Sequence, residues 1–389
     1  MVRRLRRYID ICSGVVLLLI ILACGLKVDT AHAVSSLRSS FAHPTTSAPM
    51  LHVSGNKLFD SSNHSVRLLG ADRSGTEYAC IQGWGIFDGP NNQTSINAIL
   101  TWHINAVRVP LNEDCWLNIN MGSSPYGGPV YRNAIISYVN LLISNGITPI
   151  VDLHWSAPGT KQATSQEPLA DRAHSKPFWS SVATQFKGNN AVIFDLFNEP
   201  FPNQNADDTT AWLCWKNGTN STKCPVSSSP NVGTGITYSA AGMQELVNTV
   251  RSTGATNVVM LGGVQYANAL DQWLTYKPAD SVKEMIAAWH VYNFNSCSNT
   301  ICWNNSVLPV IKKYPLIAGE IAENDNSGSF ITQVMNFLDT PATGVPGQSY
   351  LAWTWNTDQN PFDLITDYTS GNPNGAYGQT YHDHVISQR

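Results

Sequence analysis

Val192-Ile-Phe-Asp-Leu-Phe-Asn-Glu-Pro200 is the stretch on which the reading of this chain turns. Residues 192–196 are an apolar run of strand length that passes directly into Asn198-Glu199-Pro200. A short apolar run closed by a proline suits a parallel strand covered on both faces. Pro200 ends the strand and fixes where the chain leaves it. Glu199 then stands just past the carboxyl end of a strand, where α/β barrels keep their reacting groups. Asn198 beside it offers an amide donor to a substrate oxygen.

Outward from that strand, strand-like and helix-like segments alternate in both directions. Strands are expected over 66–71, 105–110, 148–153, 192–196, 257–261, 285–289, 316–319 and 349–355. Helices are expected over 95–102, 132–145, 175–186, 239–253, 307–314, 329–338 and 382–387, three of them stopped by Gly146, Gly188 and Gly254. Such alternation argues for parallel strands joined by crossover helices. With this number of strands the expected fold class is α/β, a single (β/α)8 TIM barrel. An open doubly wound sheet would need a glycine-rich phosphate turn after the first strand, and Gly70-Ala-Asp-Arg-Ser-Gly75 lacks that spacing. Residues 51–60 alternate and turn at Gly55-Asn56, which predicts a small N-terminal β-hairpin lying against the barrel floor.

Of the 389 residues only 13% are charged, against a usual ~25%, while there are 12 Trp and 14 Tyr. The net charge is −4 and no basic stripe follows the N-terminus, so no nucleic-acid partner is expected. Few charges and many aromatics suit an exported protein for neutral, ring-shaped ligands, because sugar rings stack their C–H faces on aromatic planes. Arg3, Arg4, Arg6 and Arg7 precede an apolar stretch over 15–22 that is too short for a comfortable membrane span. Ala31-His32-Ala33 is a small-x-small cleavage site, so residues 1–33 read as a signal peptide. Residues 34–50, rich in Ser, Thr, Pro and Ala, read as a flexible leader, and 51–389 as one folded domain. Ala23-Cys24-Gly25 is an alternative processing site of the lipoprotein kind, which leaves a membrane tether open. Cys12 and Cys24 belong to the leader. The remaining cysteines are expected to pair as Cys214–Cys224, Cys297–Cys302 and Cys80–Cys115. They lack CxxC spacing or accompanying His pairs, so no metal and no cofactor are expected.

In a barrel, the residues just past each strand face one bowl. These are Arg108, His154, Asn198, Glu199, His290, Tyr292, Glu320, and Trp353 or Trp355. Two glutamates surrounded by Arg, His, Asn, Tyr and Trp match what glycoside cleavage needs: one protonated carboxyl and one ionised. Arg108 and Tyr292 near Glu320 would keep it ionised, leaving Glu199 as proton donor. Trp84 and Trp155 fall in loops of the same end, as sugar platforms or as packing. Glu167, Glu323 and Asp358 read as plain loop charges, and His382-Asp-His384 as a solvated tail.

The set Arg108-Val-Pro, Asp152-Leu-His154, Asn198-Glu199-Pro200, His290-Val-Tyr292, Gly319-Glu320 and Trp353-Thr-Trp355-Asn, in this order, resembles glycoside hydrolase family 5, the cellulase family. The resemblance runs from about residue 51 to 355. It implies a retaining mechanism, with Glu199 as acid/base and Glu320 as nucleophile. Arg108, His154, Asn198, His290 and Tyr292 would support the nucleophile and its sugar, and Trp353 would lie under that sugar. Together with the export signals it points to a secreted enzyme acting on a polysaccharide, most simply an endo-β-1,4-glucanase, and nothing in the sequence asks for more than a monomer or for an obligate protein partner. A β-mannanase or another β-glycosidase is the next reading, and a barrel that binds carbohydrate without cleaving it is the reading from another class. The chain departs from better-known cellulases at Arg73-Ser-Gly-Thr-Glu-Tyr-Ala-Cys80, with its charged pair Arg73 and Glu77, and in the insertion between Cys214 and Cys224. Both border the cleft, so they bear on the substrate.

Overall fold

In a computed structural model of the protein, residues 47–220, 224, 237–358 and 360–388 are described. The expected signal peptide, most of the leader and most of the Cys214–Cys224 insertion lie outside them. Residues 47–50 do pack: Ala48 is buried and its N–H donates to the Ile143 carbonyl at 2.8 Å, so the leader expected over 34–50 reaches the domain at its end.

The chain opens with β1 (Leu51–Ser54) and β2 (Lys57–Asp60), antiparallel and in register from Leu51↔Asp60 to Ser54↔Lys57. A short β3 (Ser65–Val66) joins β2, making a three-stranded sheet where a hairpin was expected and removing Val66 from the first barrel strand. The barrel strands follow as β4 (Leu69–Asp72), β5 (Ala106–Asn112), β6 (Thr148–Trp155), β7 (Ile193–Asp195), β8 (Val259–Gly262), β9 (Met285–Tyr292), β10 (Leu316–Ala322) and β11 (Ser349–Ala352). All pair in parallel with their neighbours in chain order, and β11 closes on β4 to complete the ring. Helices 93–101, 129–144, 175–186, 243–252, 300–306, 308–311, 329–339 and 375–387 lie between the strands or after the last. The fold is the expected (β/α)8 barrel.

Side chains alternate across a strand, so each strand sends every second residue into the lumen. At the floor these are apolar: Ala106, Ile150, Ile193, Ile286 and Ile317 form one cluster with Leu51 and Leu58 of the small sheet, which plugs the bottom. Further up the strands the lumen turns polar, two residues on at Arg108, Asp152 and Asp195 and slightly higher at His290 and Glu320; these and Asp72 are all buried. The opposite phase faces the helices, where Val107, Val109, Val151, Phe194, Trp289 and Ile321 join the large outer core.

Three disulfides, Cys80–Cys115, Cys214–Cys224 and Cys297–Cys302, are those expected from the sequence. No helix among the described residues is long and apolar enough to cross a membrane.

Candidate active site

The site begins inside the barrel wall. Arg108, fully buried on β5, donates from Nη1 to Asp72 Oδ1 at 3.0 Å and to Glu320 Oε1 at 2.9 Å. Its Nε reaches Asp195 Oδ2 at 3.1 Å, and its Nη2 reaches Asn198 Oδ1 at 2.6 Å and Asp152 Oδ2 at 3.2 Å. One guanidinium thus serves four carboxylates from β4, β6, β7 and β10. Four carboxyl groups share one positive charge, and the three aspartates are wholly shut off from water. Burial, against the pull of Arg108, pushes the Asp195 carboxyl up to about 8 and that of Asp72 well above the usual range. Arg108 is held firmly protonated: burial opposes its charge, but the surrounding carboxylates outweigh it.

Glu320 sits where β10 slips register between Ala318 and Glu320. Gly319 occupies the slip, and a Cβ there would lie 2.8 Å from Met260 Cε and 2.9 Å from His290 Nε2. A bulge centred on a glycine lets the strand turn Glu320 into the lumen while His290 packs against bare backbone. Glu320 Oε1 takes the Arg108 bond, and its Oε2 accepts the Tyr292 hydroxyl at 2.5 Å. Burial and the charge of Glu320 hold the Tyr292 hydroxyl protonated, so it remains a donor.

Glu199 stands just past β7, where Leu196 and Asn198 are tied by backbone bonds to Met260 and Leu153 on either side. Its Oε1 lies 3.0 Å from His290 Nδ1, and its Oε2 accepts Gln166 Nε2 at 2.9 Å. Burial raises its carboxyl, opposed by the Gln166 bond. His290 Nδ1 also lies 3.6 Å from Glu320 Oε2, so one imidazole faces both glutamates. Burial pushes His290 down to about 4, hence neutral near pH 7. Its Nε2 has no partner, which assigns the single proton to Nδ1, between the two carboxyls.

His154 behaves in the opposite way. Burial disfavours its charge, but Asp152 Oδ2 at 2.9 Å from Nδ1 and nearby Glu77 outweigh this, and its pKa rises to about 8. Its ring stacks on Trp353 with centroids 5.4 Å apart and planes 9° from parallel. The choice between the two tryptophans is resolved by packing: Trp355 is buried edge-on against Trp102, while Trp353 is half-buried in the wall of the cleft, and the Trp353–Thr354 peptide is cis. The cleft, about 370 Å³, is lined by His154, Gln166, Glu199, Tyr266, Tyr292, Phe294, Asn295, Glu320, Trp353 and Phe362. Phe294, 59% exposed, extends the Tyr292–Phe362 aromatic wall on one side. Trp84, 51% exposed, continues from Tyr78 toward Trp155 at the rim.

Apart from Trp355, the candidates named from the sequence gather at or beneath this cleft, and several lie lower than expected. His154, His290, Tyr292 and Glu320 are within strands that run past their expected ends, because the lumen accepts polar groups that look like the start of a loop in sequence. Arg73 and Glu77 are not paired with each other: both are buried, Arg73 bonding Asp88 and lying 4.4 Å over the Tyr368 ring, Glu77 accepting Gly75 N–H at 2.7 Å. Glu167 and Glu323 are not plain loop charges. Glu167 is buried and paired with Lys161, and Glu323 caps the helix 329–339 by accepting the N–H groups of Gly328, Phe330 and Ile331. Nor is the C-terminal His-Asp-His a tail: it lies in helix 375–387, with His384 Nε2 at 2.7 Å from Asp339 and His382 edge-on to Trp102. Asp195, Asp72 and Gln166 escaped the sequence reading. A charged residue inside an apolar strand was the available signal for the two aspartates; Gln166 carried none.

Among the described residues two groups bring metal-type donor atoms within 4.8 Å of one another, Glu199–His290–Glu320 and Glu113–Asp114–His174. In the first, both Glu320 oxygens are engaged by Arg108 and Tyr292. In the second, Glu113 accepts from Ser175 and Asp114 from Ala163 N–H.

A closed parallel barrel with two facing carboxyls in the mouth, one beside a cation and one raised by burial, has the layout of a glycosidase. The chain belongs to the cellulase family, glycosyl hydrolase family 5, whose model matches residues 60–359; its members hydrolyse O-glycosyl bonds. Cellulase CelDZ1 of a Thermoanaerobacterium species is 24% identical over 168 residues, 42% of this chain and 38% of that protein, so the match spans well under half of the relative. The β-glucanase SdGluc5_26A of Saccharophagus degradans, solved also with cellotetraose, superposes with a TM-score of 0.62 at 18% identity, covering 88% of this chain and 95% of its own. The β-mannanase of Thermomonospora fusca gives 0.58 at 14% identity, over 88% and 97%. At these identities the likeness to the solved structures speaks for the fold.

Proposed function

We propose that the protein is an exported, retaining endo-β-1,4-glucanase with Glu320 as nucleophile and Glu199 as acid/base. The observation that carries this reading is the meeting of both glutamates at His290, with an oxygen of each within 4.8 Å, in opposite surroundings. A short gap favours retention over inversion, which leaves room for a water between carboxyls ~6.5–9.5 Å apart. Arg108 and Tyr292 both donate to Glu320, which suits an ionised nucleophile. Burial favours the neutral form of Glu199, which suits a proton donor.

In the first step a Glu320 oxygen attacks the anomeric carbon as Glu199 gives its proton to the departing glycosidic oxygen. The glycosidic bond breaks and a glycosyl ester forms on Glu320. In the second step Glu199, now a carboxylate, takes a proton from water whose oxygen attacks the same carbon and frees Glu320. Asn198 is fixed through its Oδ1 by Arg108, and its buried Nδ2 has no protein partner, which leaves that amide to donate to a sugar hydroxyl beside the reacting carbon. Trp353, backed by His154, offers its face to the ring held there. Export agrees with the three disulfides and the N-terminal sequence.

Mannan is the second reading, favoured by the near-equal likeness to the mannanase and glucanase folds. Reducing-sugar release by residues 34–389 on carboxymethyl-cellulose, barley β-glucan, mannan, xyloglucan and xylan separates the two. Hydrolysis of the β-glucans is expected, falling roughly 10²–10⁴-fold in Glu199→Ala and at least as far in Glu320→Ala. Full activity in either variant refutes the assignment, and a folded protein silent on all five substrates favours a barrel that only binds.

A further inference from the structure

The two oxygens of Glu199 are held by two different side chains, and one of them lies on neither a strand nor the chain near Glu199. Gln166 belongs to the loop between β6 and the helix 175–186. Its Nε2 donates to Glu199 Oε2 at 2.9 Å, while Oε1 faces His290 at 3.0 Å. That loop is strapped down on both sides of the glutamine. Ala163 is clamped by Asp114 Oδ2 on its N–H at 2.9 Å and by Asn112 Nδ2 on its carbonyl at 2.8 Å. Glu167, the next residue, is fully buried and paired with Lys161. The Pro168 carbonyl then accepts the Phe201 N–H at 3.0 Å, tying this loop to the one that carries Glu199. An ion pair is costly to bury, and here it fixes the backbone from which Gln166 reaches into the cleft.

An acid/base carboxyl must pass from protonated to ionised and back within one turnover. The ionised form wants a donor, and the protonated form wants an acceptor for its own O–H. A primary amide donates without a charge of its own, so it favours the ionised form without locking it. A lysine or arginine in this place would only donate and would hold Glu199 ionised; a carboxylate would hold it protonated.

We propose that Gln166 is the positioning residue of the acid/base: its amide, donating to Oε2, fixes the Glu199 carboxyl for proton transfer and restrains its proton affinity against the push of burial. This rests on Glu199 being the acid/base of the preceding reading. The bond donated by Gln166 also opposes the upward push of burial on that carboxyl, so losing it favours the protonated form.

The test uses Gln166→Leu and Gln166→Met in the full chain, the second preserving an unbranched side chain should the first fold poorly. The Glu199 carboxyl is titrated by infrared difference spectroscopy without ligand, its band assigned with Glu199→Gln. The midpoint is expected to rise by about one unit, a tenfold gain in proton affinity. In parallel, aryl β-cellobiosides are compared through kcat/KM, which reports the first step alone: with a poor leaving group it should fall about tenfold, while with a dinitrophenolate, whose departure needs no proton, it should hold. An unchanged midpoint in both variants, or an equal loss on both leaving groups, overturns the proposal. A wild-type enzyme inert to cellobiosides would count against the glucanase reading alone, since the titration does not depend on it.

Discussion

His154 and His290 face the same polar lumen and titrate in opposite directions: Asp152 holds the charge of the first, whereas burial outweighs the pull of Glu320 on the second. The rise of His154 to about 8 from 6.5 has a definite sign for stability. The folded state binds this proton more tightly than the unfolded chain, so the contribution is complete below pH 6.5 and is lost as pH rises through 8. His154→Gln should therefore flatten the decline in melting temperature between those values, removing about 1–2 kcal/mol of pH-dependent stability. Thermal melts across pH 6–9 check it, and an unaltered slope would mean that His154 is not charged in the native state. Residue identities at the site were legible because strand ends gather chemistry in a barrel. Gln166 was illegible because its partner lies 33 positions away across a loop with no periodicity. Glu323 and Glu167 look like ordinary surface charges until the burial of their partners is known.

Elements were legible in kind and less so in extent. The helix 175–186 came out as expected, since its apolar spacing is regular and Gly188 follows it. Strands β6, β9 and β10 run further than expected, because His154, Tyr292 and Glu320 break the apolar pattern without breaking the strand. The last helix starts at Gly375, well before the expected 382. Its glycines disguise it, yet Gly378 is needed there: a Cβ would lie 2.3 Å from the Leu364 carbonyl oxygen. Helix 93–101 is capped by Asn92, which accepts from Thr94 and Ser95 N–H, and so starts two residues before the expected 95. Helix 329–339, by contrast, depends on a carboxylate from outside its own sequence. Glu323→Ala would leave buried N–H groups at that N-terminus unpaired and remove a charge favourable to the helix dipole. A loss of about 2–3 kcal/mol is expected, seen as a lower urea midpoint with unchanged slope; Asp358→Ala, an exposed site, serves as the neutral control.

At the scale of the molecule, alternation of strand and helix sufficed for the barrel, because eight parallel strands can bury both faces in few other ways. What alternation does not convey is how the wall is charged or how the loops above it are fastened. The Cys80–Cys115 bridge fastens two of them, closing 35 residues between the segments after β4 and β5. Replacing both cysteines by serine should lower stability by about 3–4 kcal/mol on the loop-entropy account, and reductant should shift the wild-type melt likewise. A variant as stable as the wild type would show that the Arg73–Asp88 network already holds that loop.

Arg108 binds groups from four strands besides its own, and every one of them is below the rim. The aromatic side chains that would meet a polymer, Trp84 and Phe294 among them, stand on loops above it. Chemistry and taste are therefore written on separate parts of the chain. A lineage that exchanges rim loops can acquire a new polysaccharide without renegotiating the charge balance of the wall, whereas any lineage that alters one aspartate around Arg108 must alter the others with it.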